Sequence, residues 1–173
     1  MKMKERPGAV TFKGAALTLL GQELKVGDKA PDATLLAADM KETKISDFRG
    51  KVCVIASVPS LDTPVCDAEV RRFNKEAAAL GEDVVILSVS MDLPFAQGRW
   101  CGSAGVEAVK TLSDHRDAAF GAAYGVLIKE LRLLARAVFV LDREGVLHHV
   151  QVVREITDEP DYAPVLGAIR QLA

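Results

Sequence analysis

Two aliphatic runs, Val52-Cys-Val-Ile-Ala-Ser-Val58 and Val84-Val-Ile-Leu-Ser-Val-Ser90, bracket a segment whose apolar residues fall at positions 66, 70, 73, 77 and 80. Steps of four, three, four and three place those side chains on one stripe of a helix, so Pro64 to Leu80 is expected to be helical, with Gly81 ending it. The flanking runs are short, rich in β-branched residues and apolar at consecutive positions, the pattern of strands covered on both faces. Strand, helix and strand joined in this way make a right-handed parallel crossover. The chain must therefore build a sheet that is at least partly parallel.

The remaining segments extend this unit. Leu93 to Cys101 reads as a short helix closed by Gly102, Val109 to Leu112 as a short strand, and Asp117 to Tyr124 as a helix stopped by Gly125. Ala137-Val-Phe-Val-Leu141 and Val146-Leu-His-His-Val-Gln-Val152 flank Asp142-Arg-Glu-Gly145, which has hairpin-turn chemistry. A last helix is expected from about Asp161 to Leu172, after the start signal Thr157-Asp-Glu-Pro160. Upstream, Val10-Thr-Phe12 and Ala15 to Leu19 around Lys13-Gly14 form an extra hairpin within residues 8–20. The class is α/β, with a mixed central sheet flanked by helices in the order of a thioredoxin-like domain.

Composition narrows the function. The 173 residues are 49% hydrophobic and 27% charged, which suits a single domain over residues 1–173. Lysine and arginine total 22 against 24 acids, and a net charge of −2 supplies no field for holding nucleic acid. No run of about 18 apolar residues is present to span a bilayer. The basic start Met1-Lys-Met-Lys-Glu-Arg6 and the apolar Ala15 to Leu20 loosely imitate a signal peptide, but Lys13 interrupts them and no small-residue cleavage site follows. Cytoplasmic residence is the expectation. Three cysteines, an odd number widely spaced, do not form a secreted disulfide framework.

Each cysteine has a different setting. Thr63 is a candidate N-cap and Pro64 the first helical residue, which puts Cys66 at the third helical position, where a capping box would carry Glu or Gln. A thiolate there meets unpaired backbone N–H groups and the positive end of the helix dipole, which favours a reactive sulfur. Cys66 also lies on the apolar stripe with Val70 and Phe73, so an inert buried thiol is an equal reading from position alone. Cys101 follows the only tryptophan, Trp100, and precedes Gly102, in a segment punctuated so that it can move. A transient catalytic disulfide between Cys66 and Cys101 fits a reducing compartment better than a structural one. Cys53, inside the central strand, is expected to act as a small hydrophobe. Zinc-finger spacing, a Cys-x-x-Cys pair and phosphate-binding glycine motifs are missing, and His148-His149 would point to opposite strand faces, so neither metal nor cofactor is expected.

Pro59-Ser-Leu-Asp-Thr63-Pro-Val-Cys66 is the Pro-x-x-x-Thr-x-x-Cys pattern, by which the chain resembles the peroxiredoxins. Asp62 to Cys66, Asp92-Leu-Pro-Phe-Ala-Gln97 leading into Trp100-Cys101-Gly102, Leu134-Ala-Arg-Ala-Val138 and Glu155-Ile-Thr-Asp-Glu-Pro-Asp-Tyr162 are similar to the atypical two-cysteine branch. Val26-Gly-Asp-Lys-Ala-Pro31 and the Lys13-Gly14 hairpin extend the resemblance over almost the whole chain. It implies a thioredoxin fold, Cys66 as the peroxidatic and Cys101 as the resolving cysteine, thioredoxin as reductant, and a homodimer. Pro59, Thr63 and Arg136 complete the peroxide pocket by the same resemblance. Thr63 would position peroxide and sulfur, Arg136 would meet the developing charge with a permanent cation, and Pro59 would shield the sulfur from water. Leu127 to Leu134 is shorter than the family's usual glycine- and proline-containing connection.

The resemblance implies a peroxidase that reduces organic hydroperoxides and hydrogen peroxide through a Cys66 sulfenate and a Cys66–Cys101 disulfide. The alternative is a non-enzymatic redox sensor or binding module of the same fold. A peroxidase turns over many times with thioredoxin, its reductase and a nicotinamide donor, whereas a sensor stops after about one equivalent of peroxide.

Overall fold

The computed structural model describes residues 2–173. Two strands open the chain, β1 (Glu5–Phe12) and β2 (Ala15–Leu20), followed by the short β3 (Thr34–Leu36) and β4 (Glu42–Lys44). The crossover is β5 (Val52–Ser57), α1 (Pro64–Leu80) and β6 (Val84–Ser90); then come α2 (Pro94–Ala104), β7 (Val109–Ser113), α3 (Ala119–Ala123) and β8 (Leu127–Ile128). The chain closes with β9 (Ala137–Leu141), β10 (Leu147–Val152) and α4 (Tyr162–Leu172). The main sheet has the order β10-β9-β5-β6-β7-β3-β4. Pairs β5·β6 and β6·β7 are parallel, while β9 runs antiparallel to both β5 and β10, as a mixed thioredoxin-like sheet requires.

Alternation along the buried strands divides the core into two layers. Val52, Val54 and Ala56 of β5 join Val138 and Val140 of β9 against Val70 and Phe73 of α1 and Val165 and Ile169 of α4. Cys53 and Ile55 point the other way, into a layer with Phe120, Tyr124 and Phe139. Burying a side chain such as Val70 or Phe73 contributes roughly 2 kcal/mol, so the stripe read from sequence fixes α1 on the sheet more firmly than helix propensity does. The aromatic edge of Tyr162 meets Phe73 at a centroid distance of 5.5 Å and docks α4 beside it.

Several boundaries differ from expectation. The helix expected to close at Gly102 continues to Ala104, because Gly105 rather than Gly102 takes the left-handed conformation (φ 66°) and turns its N–H back to the Cys101 carbonyl. Cys101 therefore sits inside the helix, about a turn before its end, rather than as its last residue. The N-terminal hairpin begins at Glu5, three residues before the expected start, since a bulge between Arg6 and Val10 lets the pairing continue past Gly8. The cap of α4 is Asp161, whose side chain accepts from the Ala163 N–H, with Pro160 outside the helix. The α3 helix is shorter than expected at its start, beginning at Ala119.

The hairpin belongs to a second sheet of order β1-β2-β8 that covers the Phe120 side of the core through Val10, Leu17, Leu19 and Leu20. The short Leu127–Leu134 connection is pinned to it: Leu19 pairs with Ile128, and Leu127 bridges to Leu134 across a turn with Arg132 at φ 54°. Close to this sheet Gly125 (φ 68°) touches the chain at Gln22, where a Cβ would lie 2.1 Å from the Gln22 carbonyl oxygen. Only glycine fits there.

Candidate active site

The C-terminal end of β5 delivers the chain into the loop Val58 to Thr63, where the site begins. Thr63 adopts the extended conformation of an N-cap, Pro64 is the first helical residue, and the Thr63 Oγ1 accepts the Cys66 N–H at 3.4 Å. The Thr63 hydroxyl donates to the Ser60 carbonyl at 3.0 Å, which commits its single proton and, with one lone pair taken by the Cys66 N–H, leaves one acceptor position open. Cys66 is completely buried, at the base of the first turn of α1.

Arg136 comes from the residue just before β9. The residue is 1% exposed, and its guanidinium spreads its donors over three acceptors. Nη2 donates to the Cys66 Sγ at 3.3 Å and to the Ile156 carbonyl at 2.9 Å, Nε donates to the same carbonyl at 3.1 Å, and Nη1 donates to Glu69 Oε2 at 2.5 Å. Glu69 is fully buried and was not read from the sequence; its carboxylate lies three residues beyond Cys66 on the same face of α1. A carboxylate beside the stripe of Val70 and Phe73 was the available signal. Burial pushes its carboxyl up to about 7, against the pull of Arg136. Burial also works against the Arg136 charge, yet Glu69 and the Cys66 sulfur outweigh it and hold the guanidinium above its ordinary range.

A cavity of about 290 Å³ opens over this group. It is lined by Pro59, Thr63, Pro64 and Val65 at the start of α1, by Arg136, by Phe12 and Lys13 of the hairpin, and by Ile156 and Thr157. The structure thus brings Cys66, Thr63, Pro59 and Arg136 together.

Cys101 stands apart from that group. Its sulfur approaches Thr111 Oγ1 of β7 at 3.5 Å, and all three cysteines are free thiols. Its helix is nevertheless tied to the Cys66 loop. Asp92, just before α2, accepts from Ser60 Oγ at 2.7 Å and from the Leu61 N–H at 2.8 Å. Gln97 on α2 reaches back to Ser90 Oγ and the Leu112 carbonyl. Cys53 lies in the opposite core layer, where burial raises its thiol to about 12. Among the described residues no group of three or more His, Cys, Asp and Glu side chains is placed to hold a metal ion, and no helix is long and apolar enough to cross a membrane.

Comparison with known proteins bears on what this geometry does. Residues 25–166 match the Redoxin family. The thiol peroxidase of Bacillus subtilis is 55% identical over 163 residues, covering 94% of this chain and 97% of that protein, and the Staphylococcus aureus thiol peroxidase is 50% identical over a similar span. A peroxiredoxin-like protein from Aquifex aeolicus superposes with a TM-score of 0.90 at 44% identity, each chain covered completely.

Proposed function

The chain belongs to the redoxin family and to its thiol peroxidases, and from that membership we propose that Cys66 is the peroxidatic sulfur, Cys101 the resolving one, and Pro59, Thr63 and Arg136 the rest of the peroxide site. The protein is a peroxidase, an oxidoreductase that acts on a peroxide. The observation carrying the residue assignment is the 3.3 Å contact between the buried Cys66 sulfur and Nη2 of Arg136, a residue that itself lines the cavity.

The chemistry follows from those contacts. The Cys66 thiolate attacks one peroxide oxygen; an S–O bond forms, the O–O bond breaks, and its electron pair leaves with the other oxygen, which takes a proton and departs as water or an alcohol. Thr63, its own proton given to Ser60, accepts from the peroxide O–H and aligns the O–O bond. Arg136 offers fixed N–H donors to the growing negative charge in a site from which Pro59 excludes water. Glu69 takes one edge of the guanidinium, so the other edge stays turned toward the sulfur.

Resolution follows as a second displacement. The Cys101 thiolate attacks the Cys66 sulfenic acid, an S–S bond forms, and the oxygen leaves as water. A dithiol of the thioredoxin type restores both thiols by exchange, which assigns the chain to a reducing compartment such as the cytoplasm. A homodimer is what the family resemblance implies; sedimentation at micromolar concentration distinguishes it from a monomer. The same fold used as a one-shot sensor finds no support among the thiol peroxidase relatives.

The deciding experiment is a coupled assay with thioredoxin, its reductase and a nicotinamide donor, followed by mass spectrometry of peptides from the oxidised chain. Sustained turnover with a Cys66–Cys101 linkage is expected. Consumption of a single equivalent, or a linkage involving Cys53, would overturn the assignment.

A further inference from the structure

The extra hairpin and the segment after β10 are fastened to each other at the edge of the peroxide cavity. Glu155 is the fastening. Its Oε1 accepts from the Gly14 N–H at 2.8 Å and from the Thr11 hydroxyl at 3.0 Å, both on the hairpin. Its Oε2 accepts from the Thr157 N–H at 3.1 Å and the Thr157 hydroxyl at 2.8 Å, so the carboxylate also closes the turn on which it stands. Thr11 adds two main-chain bonds, donating to the Arg154 carbonyl at 2.7 Å and accepting from the Ile156 N–H at 3.0 Å. The residue enclosed by these bonds, Ile156, presents its carbonyl to Nε and Nη2 of Arg136.

We propose that Glu155 is a positioning residue of the peroxidase reaction, holding the hairpin against the Ile156 turn so that the Ile156 carbonyl sets the angle at which Arg136 faces the Cys66 sulfur. A planar guanidinium held at one edge only can pivot about that edge. Glu69 fixes Nη1, and the Ile156 carbonyl supplies the second point, on the side that also meets the sulfur. The hairpin, whose sequence shows no function of its own, thereby becomes part of the site twice: Phe12 and Lys13 line the cavity, and Thr11 and Gly14 hold the carboxylate that aligns Arg136. The Gly14 N–H, with the Thr157 donors, keeps the Glu155 carboxyl down at about 2, so the fastening stays charged at every pH at which the enzyme is assayed.

The inference rests on the reading of Cys66 as the peroxidatic sulfur, and the experiment separates the two. Second-order oxidation of Cys66 is followed by rapid quench and trapping of the sulfenate in the parental chain and in Glu155→Ala, Glu155→Gln, Thr11→Val and Arg136→Lys, with the double variant Glu155→Ala/Arg136→Lys completing a cycle. Glu155→Ala is expected to slow oxidation about tenfold while retaining the parental far-UV dichroism, and Glu155→Gln, which keeps one acceptor oxygen, to fall between it and the parent. Once Arg136 is lysine, removing Glu155 should slow oxidation by less than about twofold further, because the group it aligns has gone. Rate losses that multiply, or an unchanged rate in Glu155→Ala, overturn the inference. Should Glu155→Ala fail to fold, Thr11→Val keeps the charge and deletes the hydroxyl that donates to Glu155 at 3.0 Å and approaches the Arg154 carbonyl at 3.4 Å; a fall of about twofold or threefold supports the proposal, and a parental rate overturns it. Trapped adduct on a residue other than Cys66 in the parental chain overturns the reading of the site together with the inference, whereas adduct on Cys66 with a parental rate in Glu155→Ala overturns the inference alone.

Discussion

Trp100 donates its indole N–H to Asp67 Oδ1 at 2.9 Å, so the immediate neighbours of Cys101 and Cys66 are hydrogen-bonded while the two sulfurs face different partners. Arg71 tightens the link: Nε meets Asp67 Oδ2 at 2.8 Å, Nη1 donates to the Ala104 carbonyl at 3.0 Å, and the guanidinium lies 5.8 Å from the Trp100 ring centre. Cys66 stands in the first turn of α1 and Cys101 near the end of α2, and a disulfide requires Cα atoms usually within about 7 Å. On the assignment proposed above, joining the two sulfurs would draw Cys66 away from Arg136 and Cys101 away from Thr111. On that assignment the reduced arrangement serves the first oxidation, and resolution undoes part of it.

Arg136→Lys keeps a positive charge but loses the planar fork that serves Glu69, Ile156 and the sulfur at once. Oxidation of Cys66 should slow roughly a hundredfold, the scale of losing a donor aimed at developing charge. Stopped-flow measurement of the second-order rate checks this, and an unchanged rate would return Arg136 to a purely structural role.

Glu69 sets a pH dependence of stability. Its folded carboxyl, pushed up to about 7 by burial, lies above the ordinary value of 4.5, so between those values the folded chain holds a proton that the unfolded chain releases. The resulting stability is fully present below about 4.5 and is lost as pH rises through about 7, a change on the order of 3 kcal/mol. Glu69→Gln should flatten this part of the stability curve, measured by urea unfolding from pH 4.5 to 7.5. An identical slope in both proteins would show that other groups carry it.

The parts legible in the sequence are those written locally. Thr63, Pro64 and the 66-70-73 stripe specify a capped helix without reference to any distant residue, and α1 forms with those bounds. Arg136 and Glu69 illustrate the opposite case. Their pairing spans 67 positions, and a lone arginine before a strand or a glutamate on a helix reads as a solvated charge until the topology is known. Resemblance to the peroxiredoxins points to Arg136, whereas Glu69 has only its place beside the Val70 and Phe73 stripe to mark it. The strands Thr34–Leu36, Glu42–Lys44 and Leu127–Ile128 are too short to show a period of two, and they exist because neighbours in the sheet provide their hydrogen bonds. Gly102 reads as the end of the helix that carries Cys101, yet a glycine with ordinary backbone angles costs a helix only about 1 kcal/mol, and the helix runs on to Ala104.

The three cysteines should separate cleanly by substitution. Cys66→Ser is expected to abolish peroxide reduction, since a hydroxyl does not replace the thiolate nucleophile. Cys101→Ser should permit one oxidation per chain and then accumulate sulfinic acid at Cys66. Cys53→Ala, in the opposite core layer, should lower stability by about 1 kcal/mol and leave turnover intact. Coupled turnover at the parental rate in Cys101→Ser, or loss of activity in folded Cys53→Ala, would contradict these roles.

Trp100 makes the resolving step visible. As the only tryptophan, half-buried and bonded to Asp67, it reports on the contact that disulfide formation has to strain or break. Peroxide should therefore shift its emission in two phases, a small one as the Cys66 sulfenate forms and a larger one as the disulfide closes, with recovery after dithiol reduction. Cys101→Ser should abolish the second phase only. Asp67→Asn keeps an oxygen that can accept from the indole but weakens the bond and the Arg71 pair, so the second phase should accelerate by a few-fold because less has to be undone before the sulfurs meet. Stopped-flow fluorescence matched to mass spectrometry of quenched samples resolves the phases. Disulfide that forms with no change in emission would show that the Trp100–Asp67 contact survives resolution, and that the helices approach by a movement which leaves this pair intact.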